Sequence, residues 1–172
     1  MYRIIQYTLL FLIVTALQVL FFNNLQLNLY VHPFVYLAFV ILLPMEIKGY
    51  WLLLLAAITG VAMDFFTGMP GVNTAATAAA AFCRPGILRL FVGKDVLSDR
   101  GVPNRWKIGS GKFLRYALTM ILIHSVVFFA LETLSAIGIG FTLLRIAAST
   151  LCSLIVIWFV QLLFISRKTT AH

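Results

Sequence analysis

The feature that most limits what this chain can fold into is a series of apolar runs too long and too numerous for the core of a water-soluble domain. Ile4–Phe22, Tyr50–Phe66, Val72–Phe91, Phe113–Leu134 and Phe141–Ile165 each approach or exceed the roughly 17–25 residues that a helix needs to cross a bilayer. A sixth run, Phe34–Met45, lies between Pro33 and the Pro44-Met45 end and has twelve residues, about 18 Å of helix at 1.5 Å each. Of the 172 residues, 62% are apolar and 10% charged, against about 25% charged in ordinary soluble domains. A soluble globular enzyme is thereby excluded, and so is a single-span anchor. The first run is longer than a signal-peptide core and carries no small-x-small cleavage site, so it is expected to stay as an anchor.

Charge orients the runs. The chain carries 13 Lys and Arg against 5 Asp and Glu, and cytoplasmic loops attract Lys and Arg. If all six runs cross, Arg3, Lys48, the eight cations from Arg84 to Arg115, Arg167 and Lys168 face one side and only Arg145 faces the other. If Phe34–Met45 is re-entrant instead, the best five-span arrangement puts the N-terminus outside and still leaves only Arg3 and Arg145 on the minority side. The expectation is six crossings, because Pro33 suits the start of a helix, Pro44 need only end or kink one, and local thinning accommodates a short span. The segment 92–112, with Gly93, Lys94, Asp95, Asp99, Arg100, Gly101, Pro103, Asn104 and Arg105, reads as an irregular cytoplasmic loop in a single membrane domain. Its charge sets topology and meets anionic lipid; nucleic-acid binding has no folded module to carry it.

The outer connections are short. The first, Asn23–Tyr30, alternates polar and apolar residues from Asn24 to Leu29, as an interfacial turn anchored by Tyr30 or as a strand edge offered to a partner. The third run ends in Gly60-Val-Ala-Met-Asp64-Phe-Phe-Thr-Gly68-Met-Pro70-Gly71-Val-Asn73. Gly60 permits close helix approach, and Gly68, Pro70 and Gly71 reverse the chain. Asp64 stands roughly 21 Å along its helix, in the outer membrane, where a carboxylate marks either a functional site or a structural one fed by the amides that follow it. Asn73 is expected to cap the fourth helix, whose alanines favour close packing.

Glu132 and Arg145 fall at the same outer level on adjacent antiparallel helices. They either snorkel separately into headgroups, the plainer reading, or pair, with Asp64 as a third member of an intramembrane charge network. His124 lies mid-span beside Ser125 without HExxH, GxSxG or paired-carboxylate spacing, which favours a hydrogen-bonding strut over a catalytic group. Gln18 and Gln161 are read the same way. Cys83 and Cys152 sit inside apolar runs and read as packing residues, with no disulfide framework or metal site.

Over nearly its whole length the chain resembles the rod shape-determining membrane protein family MreD of bacteria. The resemblance is carried by Gln18-Val19, by His32-Pro33, and above all by Gly60-x-x-x-Asp64-x-x-x-Gly68-x-Pro70-Gly71. It implies an all-α polytopic membrane protein of six transmembrane helices, N-in and C-in, similar in fold to the substrate-binding subunits of energy-coupling-factor transporters. It also implies a non-enzymatic, cofactor-free scaffold of the cell-elongation complex in the bacterial cytoplasmic membrane. Its partners would be MreC and, through it, the elongation transpeptidase, RodA and the MreB filament, in support of sidewall peptidoglycan synthesis. Gly60, Asp64, Gly68, Pro70 and Gly71 carry over as the structural or partner-binding signature; the short second run departs from the family pattern. The competing expectation is a vitamin-type transporter subunit with Asp64, Asn73, Glu132 and Arg145 lining an outward pocket. An intramembrane enzyme would require His124 to meet a carboxylate across helices.

Overall fold

A computed structural model describes residues 2–23, 31–93, 101–132 and 139–164. Every regular element among them is helical: α1 (Tyr2–Leu17) with a π-helical turn over Gln18–Phe22, α2 (Leu37–Ile41), α3 (Gly49–Thr67), α4 (Val72–Val92), α5 (Arg105–Ile108), α6 (Ser110–Glu132) and α7 (Ile139–Phe164). Five of these, α1 with its π turn, α3, α4, α6 and α7, are long and apolar enough to cross a bilayer. The chain is an α-helical, multi-pass membrane protein. Apart from Asn23, the alternating outer connection lies outside the described residues, as do Lys94, Arg100, Arg167 and Lys168.

Helix α4 is the hub, packed against α3 on one side and α6 on the other. Its buried face is built from Ala76, Thr77, Ala80 and Ala81, so the alanine-rich surface meets neighbours in the same chain and lets their backbones approach closely. Large apolar side chains such as Leu54, Phe65, Leu151 and Phe159 point outward, where hydrocarbon rather than water is the solvent.

The second apolar run departs from expectation. Only Leu37–Ile41 is helical, and Phe34–Leu43 is buried throughout, so these side chains face protein and not lipid. The segment is pinned to the bundle at both of its ends. The His32 amide donates to Ser149 Oγ (2.9 Å) on α7 near the Glu132 end, and the Met45 amide donates to the Gly101 carbonyl (2.9 Å) at the other end. Non-helical residues advance up to about 3.3–3.6 Å each, against 1.5 Å in a helix. Partial unwinding therefore makes the run longer than twelve helical residues would be.

Unwinding frees backbone groups that water cannot solvate here. Side chains of four helices supply the partners. On α1, Gln18 Oε1 accepts from the Val35 amide (2.7 Å) and Gln18 Nε2 donates to the Pro33 carbonyl (3.0 Å). On α7, Ser153 Oγ accepts from the Phe34 amide (2.8 Å). At the far end the Arg84 guanidinium donates to the carbonyls of Pro44 (3.3 Å), Ile41 (3.5 Å) and Leu43, while its Nε donates to Tyr116 Oη (2.8 Å), whose hydroxyl donates to the Ile41 carbonyl (2.9 Å). Arg84 is thus not one of the loop cations. It is buried inside α4 and caps the free carbonyls at the end of α2, where a cation is favoured.

Of segment 92–112, residues 101–112 are more ordered than expected. Asn104 Oδ1 accepts from the amides of Trp106 and Lys107 (both 2.9 Å), capping α5, and Gln161 Oε1 accepts from the Arg105 amide (3.1 Å).

The Gln18 clamp yields a direct test. Gln18→Leu strands the Val35 amide and the Pro33 carbonyl, at about 1–3 kcal/mol for each unsatisfied buried group. Thermal unfolding of the purified protein in mild detergent is expected to show that loss, whereas Leu20→Ala, on the exposed side of the same π turn, changes stability by less than about 0.5 kcal/mol.

Candidate functional site

The α3–α4 reversal holds the densest set of sequence-selected residues. Gly68 ends α3 in the left-handed region (φ 68°), its amide donating to the Asp64 carbonyl (3.0 Å), and Gly71 begins α4 in the same region (φ 85°). A side chain at either position would be strained. Pro70 lies between them, at the exposed tip.

Asp64 reaches across this turn. Its Oδ2 accepts from the Gly71 amide (3.0 Å), the Thr74 amide (3.2 Å) and Thr74 Oγ1 (2.5 Å), and its Oδ1 accepts from the Asn73 amide (2.8 Å). The carboxylate therefore occupies the amino end of α4, where free N–H groups and the helix dipole favour negative charge. Asn73 is not the cap. Gly71 holds the cap position without a side chain, and the capping carboxylate comes from the preceding helix.

Close approach makes this possible. A Cβ built on Gly60 would stand 2.4 Å from Thr74 Cα and 2.9 Å from Thr74 N, so any larger residue would force α3 and α4 apart. Gly60 and Asp64 are four residues apart on one face of α3, one clearing space for the start of α4 and the other binding it.

Asn73 connects the turn to the buried segment. Its Nδ2 donates to Thr67 Oγ1 (3.1 Å), which donates to the Met63 carbonyl (2.9 Å); Tyr36 Oη donates to Asn73 Oδ1 (2.9 Å) and lies 2.8 Å from His124 Nε2. The Tyr36 proton is committed to Asn73, so the assignment that satisfies every bond has His124 Nε2–H donating to Tyr36. His124 Nδ1 then has no partner among the described residues. His124 also packs edge-on to Phe34 and parallel to Phe128. These are the bonds of a strut joining α6, the buried segment and α4.

Glu132 and Arg145 form a two-pronged ion pair, Nη1 to Oε2 at 2.9 Å and Nη2 to Oε1 at 3.1 Å, with the guanidinium 4.6 Å from the centre of the Phe129 ring. The structure thus brings these two together where separate snorkelling was the plainer expectation, while Asp64 makes its bonds to α4. Of the four residues placed around a ligand pocket by the transporter reading, two serve the α3–α4 turn and two bind each other.

The sequence reading missed Tyr36, Tyr116, Ser149 and Ser153, and misassigned Arg84. A signal was present: Arg84 lies within the fourth apolar run, and a cation inside a span demands internal partners. Pro33 and Pro44 limited any helix in the second run to the residues between them. Cys83 and Cys152 are free thiols, and among the described residues no three His, Cys, Asp or Glu side chains gather closely enough to hold a metal ion. Comparison of the chain with protein-family models, curated proteins and solved structures gave no match.

Gly60→Ala and Asp64→Asn act on one contact. Each is expected to lower stability by about 1–3 kcal/mol, the first by overpacking and the second by replacing an acceptor with a donor that faces the Gly71 and Thr74 amides. Thermal unfolding of the double variant should show a loss smaller than the two combined, because the residues share the start of α4.

Proposed function

We propose that the chain is a non-enzymatic scaffold subunit of the bacterial cell-elongation complex, of the MreD kind, crossing the cytoplasmic membrane six times with both ends inside. The observation that carries this reading is the Gly60, Asp64, Gly68, Gly71 lock between α3 and α4. The residues that carry the family resemblance are those that this geometry requires, for close approach, for capping and for left-handed backbone. Its polar groups are engaged within the protein, which suits a body that works by packing.

The six-crossing arrangement is supported by the path of the buried segment. Helices α1 and α3 run in the same direction, since Tyr7 near the start of α1 and Leu55 on α3 line one cleft with Pro44 and Ile47, while Gln18 at the end of α1 binds Pro33 and Val35. The chain between them must return through the bundle. The end reached at Met45 also carries Lys48, Arg89, Arg105, Lys107, Lys112 and Arg115, the cation excess that favours the cytoplasm. Arg145, at the opposite end, is neutralised by Glu132.

Single thiols placed at Arg3, Lys48 and Gly68, after both native cysteines are replaced, should report six crossings: Arg3→Cys and Lys48→Cys react from the cytoplasmic face and Gly68→Cys from the other. Labelling of Arg3→Cys from the outer face, with Lys48→Cys still labelled from inside, contradicts the second crossing. For the cellular role, affinity purification of the chain should recover MreC, and depletion should turn rods into rounded cells. Rods of normal shape after depletion would count against it.

A further inference from the structure

Because the second run sinks into the core, no full helix fills the space between α1 and α3. An open cleft of about 350 Å³ remains there. Its walls are Tyr7 and Phe11 on α1 and Leu55 and Ile58 on α3, and its floor is Phe39 and Leu43 of the buried segment. The lining is almost wholly apolar, so in the membrane it excludes water and polar ligands and must be filled from the hydrocarbon phase.

The mouth of the cleft decides what fills it. The cleft ends at Pro44 and Ile47, and the next residue, Lys48, is exposed at the start of α3. No side chain caps that helix end and its first turn holds no acidic residue, so free amides and an ammonium group meet at the mouth. Glu46, the nearest carboxylate in sequence, accepts from the Gly101 amide (2.9 Å). Tyr50 and Trp51, both exposed, are side chains favoured at headgroup level.

We propose that the cleft seats one acyl chain of an anionic phospholipid, with its phosphate held at Lys48 and the amino end of α3. This goes beyond the scaffold reading and rests only on the protein being embedded in a membrane, so it stands or falls separately from the elongation role.

The test is native mass spectrometry of the full chain, delipidated in mild detergent and given equal amounts of phosphatidylglycerol and phosphatidylcholine. One phosphatidylglycerol should remain bound at collision energies that strip other adducts, with a preference of about fivefold, the worth of one cation near an anionic headgroup. Lys48→Gln should abolish the preference. Leu55→Trp and Ile58→Trp, which fill the cleft, should lose the retained lipid, while Leu151→Trp, on the lipid-facing side of α7, keeps it. Far-UV circular dichroism checks helicity, and Ile58→Trp, at a half-exposed position, carries the test if Leu55→Trp does not fold. Equal retention of both lipids by the unaltered chain, undiminished retention in a folded cleft-filling variant, or a protein chain occupying the cleft in their place overturns the proposal.

Discussion

A peptide group left without a partner in hydrocarbon costs several kcal/mol, and residues 32–44 place a series of such groups at the centre of the bundle. The arrangement of the other helices follows from that requirement. The partners are Gln18 on α1, Arg84 on α4, Tyr116 on α6, and Ser149 and Ser153 on α7. Helices in a bilayer gain little from burying apolar surface against one another. Directional bonds to one central segment therefore specify relative positions that apolar contact alone leaves loose. The π turn at Gln18–Phe22, closed by the Asn23 amide on the Gln18 carbonyl (2.8 Å), lies where α1 sends Gln18 into the centre, the kind of position where such local bulges recur.

The second fixed element, the α3–α4 turn, is joined to the first through a single residue. The Asn73 amide is held by Asp64, and its side chain is held by Thr67 and Tyr36. Tyr36 belongs to the buried segment and also meets His124 of α6. Displacing Asp64 therefore disturbs more than a helix cap, because it moves an anchor of the central segment. Polar networks in low dielectric are costly when partly satisfied and stiffening when complete. This one is complete at every link except His124 Nδ1. A body stiffened in this way presents fixed outer surfaces, as the scaffold role proposed above requires.

How much of this was legible in the sequence depended on whether the signal was local. The five long runs could be read because each is its own element, and their bounds differ from the helices by only a few residues at either end. Gly60, Asp64, Gly68 and Gly71 could be read because helical periodicity and left-handed backbone act over a few positions. The fate of Phe34–Met45 could not. An apolar run looks the same whether it faces lipid or protein, and what unwound it are partners as remote as Gln18 and Ser153. Arg84 was placed among the loop cations by charge counting, although it lies twelve residues inside the run beginning at Val72. The Glu132–Arg145 pair was visible only as an option, because shared depth on two helices does not say whether their faces meet.

Arg84 also sharpens the argument about orientation. Its guanidinium is bound by Tyr116 and three carbonyls inside the bundle, so it is no free cation at the cytoplasmic surface and should be removed from the count that orients the chain. The remainder still favours one end, because Lys48, Arg89, Arg105, Lys107, Lys112 and Arg115 stand there while Arg145 is paired at the other. Twelve helical residues fall short of the hydrocarbon thickness of about 30 Å, and partial unwinding lengthens the second run. Unwinding is tolerable only with the partners that Gln18, Arg84, Tyr116 and the two serines provide. The polar residues inside the apolar runs are thus the condition on which an unwound second run can lie at the centre of the bundle.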